Sequence, residues 1–252
     1  MMDLNNKVAI VTGASAGIGA ATVKALLKQG MKVVGFARRK EKIENLVENH
    51  DGKLFAVSVD VTKPQEILAG FAWVTKNVGP VHVLINNAGV LGNSTVLTGD
   101  LDTWQQLMDT NFMSYAITTK EAVKIMTANN INGYIININS TIGYYDLLMP
   151  NNVMYRSSKI ALRVMTENVR VELARMNSNI RITSLSPGVV KTDIMAATYG
   201  EEMGKEMHSN IPYILSEDIA DSILYVLSTP QRVNISEIMI RPTGEDIRKL
   251  SV

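Results

Sequence analysis

Short apolar runs bounded by glycine or polar turns alternate along this chain with longer stretches in which apolar residues recur at helical spacing. Val8 to Val11 is the first such run; a glycine turn follows, and apolar residues then continue at helical intervals through Leu27. This reads as strand, turn, helix. MKVVGFARRKEKIENLVEN repeats the pattern, with a strand ending near Phe36 and a charged amphipathic helix behind it. LFAVSVDVT is a third strand before a helix starting near Pro64, and VHVLINNAGV is a fourth. From Leu101 to Met126 the helical spacing is sustained, with Trp104, Leu107, Met108 and Phe112 at core or subunit-contact positions. YIININ is the fifth strand, and the helix after it, bearing Tyr155, runs to about Met176. IRITSLSPGVVKT holds a sixth strand, Ser216 is expected to cap a last helix, and ISEIMIRP supplies a last strand. Strands alternating with helices in this way predict an α/β fold on a parallel sheet. With no linker, low-complexity segment or short-period repeat, residues 1–252 read as one domain.

Composition narrows the function classes. At 252 residues the chain suits one large α/β domain. A formal net charge of +1, with no clustered basic stripe, offers no electrostatic footprint for nucleic acid. Its apolar runs fall well short of the roughly 20 residues that span a bilayer, and it opens on a polar segment rather than a signal peptide, so a cytoplasmic protein is expected. There is no cysteine, and His50, His82 and His208 lie far apart, so no metal site is expected.

The candidate chemistry sits at the strand ends. Gly13, Gly17 and Gly19 follow the first strand with the spacing G-x-x-x-G-x-G, which departs from the general G-x-G-x-x-G dinucleotide fingerprint. Glycines there permit a tight turn and let a pyrophosphate approach backbone N–H groups at the positive end of a helix; packing of helix on strand is the plainer explanation. About 20 residues past such glycines a carboxylate would hold the ribose hydroxyl of NAD. Here stand Ala37, Arg38 and Arg39. Adjacent guanidiniums suit the 2'-phosphate of NADP; a solvated helix start is the alternative, weakened because cations there oppose the helix dipole. Asp60 either accepts a hydrogen bond from an adenine amino group or caps the next helix. Asn86, Asn87, Ala88 and Gly89 either line a cofactor floor or form an ordinary turn. Asn111, an amide within a helical pattern, either bonds nearby backbone or marks a functional break. Between Asp193 and Ile214, Ile194, Met195, Met203 and Met207 mix with glycine and charge. They suggest short helices forming an apolar lid, or surface helices resting on the core.

Ser140, Tyr155 and Lys159 complete the picture. Tyr155 and Lys159, four apart in a helical segment, project from one face, and the fifth strand delivers Ser140 to the same end of the sheet. Tyrosine titrates near pH 10, so moving it to about 7 takes about 4 kcal/mol of preference for the phenolate. A cation about 4 Å away at an effective dielectric near 20 supplies that much. Chance places Tyr-x-x-x-Lys on many helix surfaces; the surrounding motifs give this one weight.

Thr12-Gly13-x-x-x-Gly17-x-Gly19, Asp60, Asn86-Asn87-Ala88-Gly89, Asn111, Ser140, Tyr155-x-x-x-Lys159 and Pro187-Gly188-x-x-x-Thr192 stand in this order. The assembled set resembles the short-chain dehydrogenase/reductase family over nearly the whole chain. The resemblance implies a doubly wound Rossmann-type sandwich, a seven-stranded parallel sheet with helices on both faces. It also implies a homodimer or homotetramer paired through the long helices after strands four and five. By the same resemblance Tyr155 is the general acid/base, Lys159 lowers its pKa and holds the nicotinamide ribose, Ser140 orients substrate, and Asn111 holds a water in a proton relay. Thr12 and Asn87 would support the turn and floor, and Thr192 would bond the nicotinamide carboxamide. The implied NADP contacts extend to Ser15, Ile18, Val61, Ala88, Gly89, Pro187, Gly188 and Val190, beside Arg38, Arg39 and Asp60. Ser140 precedes Tyr155 by fifteen positions, a longer interval than the family's commoner one, so the loop from Tyr144 to Pro150 should be enlarged.

FARRKEKIENL and the ending EDIADSILYVLSTPQRVNISEIMIRPT further resemble the NADP-dependent farnesol dehydrogenase branch of that family and its ketosteroid-reducing relatives. The expected activity is interconversion of an apolar alcohol and its aldehyde or ketone. A carbonyl or ketosteroid reductase is the alternative, and a catalytically silent NADP-binding sensor is the alternative from another class.

Overall fold

The computed structural model describes residues 3–144 and 151–246. Its strands are β1 (Val8–Thr12), β2 (Lys32–Ala37), β3 (Leu54–Ser58), β4 (Val81–Asn86), β5 (Tyr134–Ile138), β6 (Arg181–Pro187) and β7 (Glu237–Ile240). Among the described residues these form one seven-stranded sheet in the order β3-β2-β1-β4-β5-β6-β7, with every neighbouring pair parallel. The chain winds outward from β1 to β3, then returns to place β4 on the other side of β1. That reversal opens a crevice at the carboxyl ends of the central strands.

Both faces of the sheet are covered, which is why its strands read as continuous apolar runs rather than alternating ones. Successive side chains of β1 feed opposite cores. Ala9 and Val11 join Val23 and Leu26 of α1 (Gly17–Lys28) and Ile219 and Ile223 of α9 (Ser216–Ser228). Val8 and Ile10 join Ile67 and Phe71 of α3 (Pro64–Asn77), Ala122 of α5 (Ser114–Ala128) and Leu173 of α6 (Val153–Arg175).

Four local expectations change. The helix behind β2, α2 (Lys40–Glu44), is five residues long and buries only Ile43, too little apolar face to carry it further. The long helical stretch after β4 is divided into α4 (Leu101–Met108), a π turn at Asp109–Met113, and α5. Ser216 begins α9 instead of capping it; Leu215 is the N-cap, and its N–H donates to the Asp218 carboxylate at 2.7 Å. Asp60 does not cap α3, whose N-cap is Lys63. Its Oδ1 accepts from the N–H and hydroxyl of Thr62 at 3.0 and 2.8 Å, closing a turn just beyond β3.

The two short helices between Asp193 and Ile214 are present as α7 (Ile194–Tyr199) and α8 (Glu201–Asn210). Residues 145–150, most of the loop expected to be enlarged, lie outside the described residues. Among the described residues no helix is long and apolar enough to cross a membrane.

Candidate active site

The crevice holds a cleft of about 1020 Å³, at the top of the range of roughly 300–1,000 Å³ for ligand sites. The β1–α1 turn forms one wall. Thr12 Oγ1 accepts from the N–H groups of Asn87 and Ala88 at 2.9 and 3.0 Å. In return Asn87 Nδ2 donates to the carbonyls of Thr12 and Gly13 at 3.0 and 3.3 Å. The two strand ends are thereby clipped together. Gly13 takes a left-handed φ of 64°, and a Cβ there would lie 2.8 Å from Ala88 Cα. A Cβ on Gly19 would lie 2.6 Å from Asn87 Nδ2 and run into the Gly13 carbonyl. The turn therefore tolerates only glycine at these positions, for reasons of backbone approach. The first turn of α1 has no side-chain cap and no acidic residue, and Ser15, Gly17 and Ile18 border the cleft beside it. Open helix N–H groups and a positive dipole end favour an anion there.

At the far end of this wall Ala37 closes β2, and Arg38 and Arg39 border the cleft with exposed side chains. Among the described residues neither guanidinium is in an ion pair. Asp60 and Val61 stand opposite. Burial pushes the Asp60 carboxyl up, but the bonds from Thr62 and the charges of Lys63 and Arg38 outweigh it and hold the group below its usual value. A glycine cradle, an uncapped helix N-terminus and two unpaired guanidiniums along one cleft fit a dinucleotide bearing a 2'-phosphate.

Asn111 is fully buried within the π turn. Its Oδ1 accepts from Val90 N and its Nδ2 donates to Val90 O, both at 2.9 Å, and Nδ2 also reaches Ser158 Oγ at 3.3 Å. Ser158 in turn donates to the Tyr155 carbonyl at 2.6 Å. The helix is broken here, and the amide is engaged with backbone, not of its own helix but twenty-one positions away. Its side chain clamps the floor loop to the helix of Tyr155.

Ser140 lies just past β5 and caps a short 3-10 turn, Oγ accepting from Ile142 N at 3.3 Å. Its hydroxyl lies near enough to the Tyr155 phenol to favour the phenolate. Tyr155 and Lys159 share one face of α6, the lysine Nζ standing 5.8 Å from the tyrosine ring centroid. Nζ donates to the Ile138 carbonyl at 3.0 Å, and Tyr115 OH donates to the same oxygen at 3.2 Å. Desolvation dominates the protonation of this pair. Burial pushes Tyr155 up to about 12, with Ser140 opposing and Tyr199 adding to the rise, and burial pushes Lys159 down to about 7. Burial thus disfavours the charged form of each group.

A stability prediction follows from Lys159. Its folded pKa lies below the 10.5 of the free side chain, so between about pH 7 and 10.5 the unfolded chain binds more protons and stability rises with pH. Below that window both states are protonated and the burial penalty is fully present. Lys159→Met should remove a slope of up to about 1.4 kcal/mol per pH unit in that window. Urea unfolding at pH 6, 8 and 10 checks it; parallel profiles for variant and wild type contradict it.

The opposite wall begins where Pro187 ends β6. Gly188 N donates to Ile240 O at 2.7 Å, and Val189 and Lys191 pair with Ile214 at 2.9 Å each. Val190 sits between them on the cleft. Thr192 comes close to the glycine turn: a Cβ on Gly17 would be 3.1 Å from its Cγ2. Of the candidate catalytic and cofactor residues, Thr12, Gly19, Asn86 and Asn111 do not border the cleft and the others do. Sequence reasoning missed Tyr115 and Ser158, which look like ordinary helix-interior residues, and Asn152 and Tyr199, which meet across forty-seven positions.

A doubly wound parallel sheet with its cleft at the carboxyl ends of the strands is an architecture that binds dinucleotides. The family model described as short chain dehydrogenase matches residues 7–202. The chain is 42% identical to a protein named farnesol dehydrogenase from Aedes aegypti, covering 95% of this chain and 97% of that one. It is 36% identical to the human dehydrogenase/reductase SDR family member 11, with 95% of each covered. Among solved structures, the closed form of a serine dehydrogenase complexed with NADP+ superimposes with a TM-score of 0.86 at 26% identity, covering 95% of this chain and 96% of that one. A metagenomic short-chain oxidoreductase in complex with NADP does so with a TM-score of 0.80 at 27% identity, covering 97% and 100%. The chain belongs to the short-chain dehydrogenase family and is an oxidoreductase.

Proposed function

We propose that the protein is an NADP-dependent alcohol dehydrogenase that interconverts an apolar alcohol, farnesol foremost, and its aldehyde or ketone. The observation that carries this reading is the meeting of Ser140, Tyr155 and Lys159 on one cleft, with Lys159 on the same helical face as the tyrosine. NADP, when bound, supplies the hydride acceptor or donor. Gly13, Ser15, Gly17 and Ile18 hold its phosphates, and Arg38 with Arg39 pairs the 2'-phosphate. Asp60 and Val61 border the adenine, Ala88 and Gly89 form the floor, and Pro187, Gly188, Val190 and Thr192 hold the nicotinamide end.

Ser140 orients the substrate oxygen and Tyr155 exchanges a proton with it. Protonated across the neutral range, the raised phenol is in the state that donates to a carbonyl oxygen. In the oxidative direction Tyr155 must accept the alcohol proton, and the Lys159 ammonium stabilises the phenolate formed. Two buried groups penalised singly gain most by charging together, because their attraction is strong where water is excluded. Asn111 supports the relay by holding the floor loop against α6.

The identity with farnesol dehydrogenase supports a prenyl alcohol, as do Leu91, Ile142, Ile194 and Met195 around the cleft. Tyr145, Leu147, Leu148 and Met149, in the loop expected to be enlarged, lie outside the described residues. Leu101, Met113 and Val164, exposed on the helical segments after β4 and β5, offer apolar surface for a homodimer.

A series of primary and prenyl alcohols tests the substrate class. Each buried methylene contributes about 0.8 kcal/mol, so kcat/KM should climb roughly fourfold per methylene until the pocket is filled. Equal efficiency on ethanol and farnesol would sink the reading.

A further inference from the structure

Asn152 occupies the N-cap of α6, where an asparagine side chain ordinarily accepts a hydrogen bond from the first turn of its own helix. It makes no such bond. Its amide is turned to Tyr199 instead, Nδ2 donating to the phenol oxygen at 3.0 Å and Oδ1 lying 3.3 Å away to accept the hydroxyl proton. Asn152 is buried, three residues before Tyr155, while Tyr199 is the last residue of α7. That helix buries no residue of its own. It is packed on α8, where a Cβ on Gly204 would be 2.9 Å from Ala196 Cα. A helix whose residues are at most half-buried is weakly anchored, so one bond to the helix of Tyr155 weighs heavily in where it sits. Both tyrosines border the cleft, and Tyr199 is near enough for its ionisation to disfavour that of Tyr155.

We propose that Tyr199 is a positioning residue of the active site: its bond to Asn152 seats α7 over the substrate end of the cleft and holds the alcohol or carbonyl compound against Ser140 and Tyr155. The proposal rests on the dehydrogenase reading and assigns the substrate side of that same site. Ile194 and Met195 are carried on α7 and border the cleft, so seating the helix brings apolar side chains with the phenol. Substrates with an apolar body benefit, and cofactor affinity is set elsewhere, at the glycine turn and the two arginines.

Tyr199→Phe removes the bond and keeps the ring; Asn152→Ala removes the partner. Each should raise KM for farnesol about two- to tenfold, the scale of one net hydrogen bond, with a smaller change in kcat and an unchanged Kd for NADP. Because both variants delete one shared bond, the double variant should be no worse than the more affected single one. Amide hydrogen exchange over residues 194–199, read in the cofactor-loaded protein without substrate, should quicken in both variants. That readout does not depend on turnover, so faster exchange supports the seating even where the substrate class is wrong. Unchanged exchange in Tyr199→Phe, or KM effects that multiply in the double variant, would overturn the proposal.

Discussion

Tyr155→Phe should lower turnover by at least 10² to 10⁴-fold while leaving NADP affinity near that of the wild type. The ring remains to fill its place beside Lys159, and only the group that moves the proton is lost, an effect of the size typical for a missing general acid or base. Neither Ser140 nor Tyr115 can substitute. Ser140 has a hydroxyl that titrates far outside the working range, and Tyr115, the other phenol beside Lys159, is pushed well above its ordinary value by complete burial and donates to the Ile138 carbonyl. Steady-state rates and a titration of cofactor binding check both halves of the prediction. A phenylalanine variant with near-wild-type turnover would remove the mechanism.

Much of this site was legible because its signals are local. The glycines lie within seven positions between an apolar run and a helical one, and Tyr155 and Lys159 are one helical turn apart. Spacing alone places such residues on a turn or a face. The strand ends were legible for a related reason, since double burial makes each strand a continuous apolar word. What escaped depends on contacts across the fold. Asn111 finds Val90, and Asn152 finds Tyr199, only after the sheet has brought distant segments together. Ser216 and Asp60 have the chemistry of caps, yet the Asp218 carboxylate and the Thr62 turn decide how those segments end. The burial that disfavours charge on Tyr155 and Lys159 is likewise recorded by no motif.

The second large effect is on cofactor choice. A 2'-phosphate carries about −1.5 to −2 charges near neutral pH, by analogy with other phosphate monoesters, and separates NADP from NAD. Ala37 ends β2 with no carboxylate to repel it or to hold a bare ribose hydroxyl. Arg38 is exposed at the cleft without an ion-pair partner among the described residues. A hydrogen bond to a charged group contributes about 1.5–3 kcal/mol, so removing Arg38 should weaken NADP binding on the order of tenfold to a hundredfold and leave NAD nearly unaffected. Arg39 stands next in line and blunts a single substitution. Ala37→Asp combined with Arg38→Ile adds a ribose acceptor and removes the phosphate partner, and should turn preference toward NAD. Dissociation constants of both cofactors for wild type and double variant decide it; unchanged preference contradicts the assignment.

The measurement closest to the central claim is the initial rate of farnesol oxidation by the wild-type protein, followed as reduced nicotinamide absorbance with NADP and, separately, with NAD. NADP should be reduced rapidly, at least tenfold more efficiently than NAD. No turnover of farnesol with either cofactor, or equal efficiency with both, would contradict it.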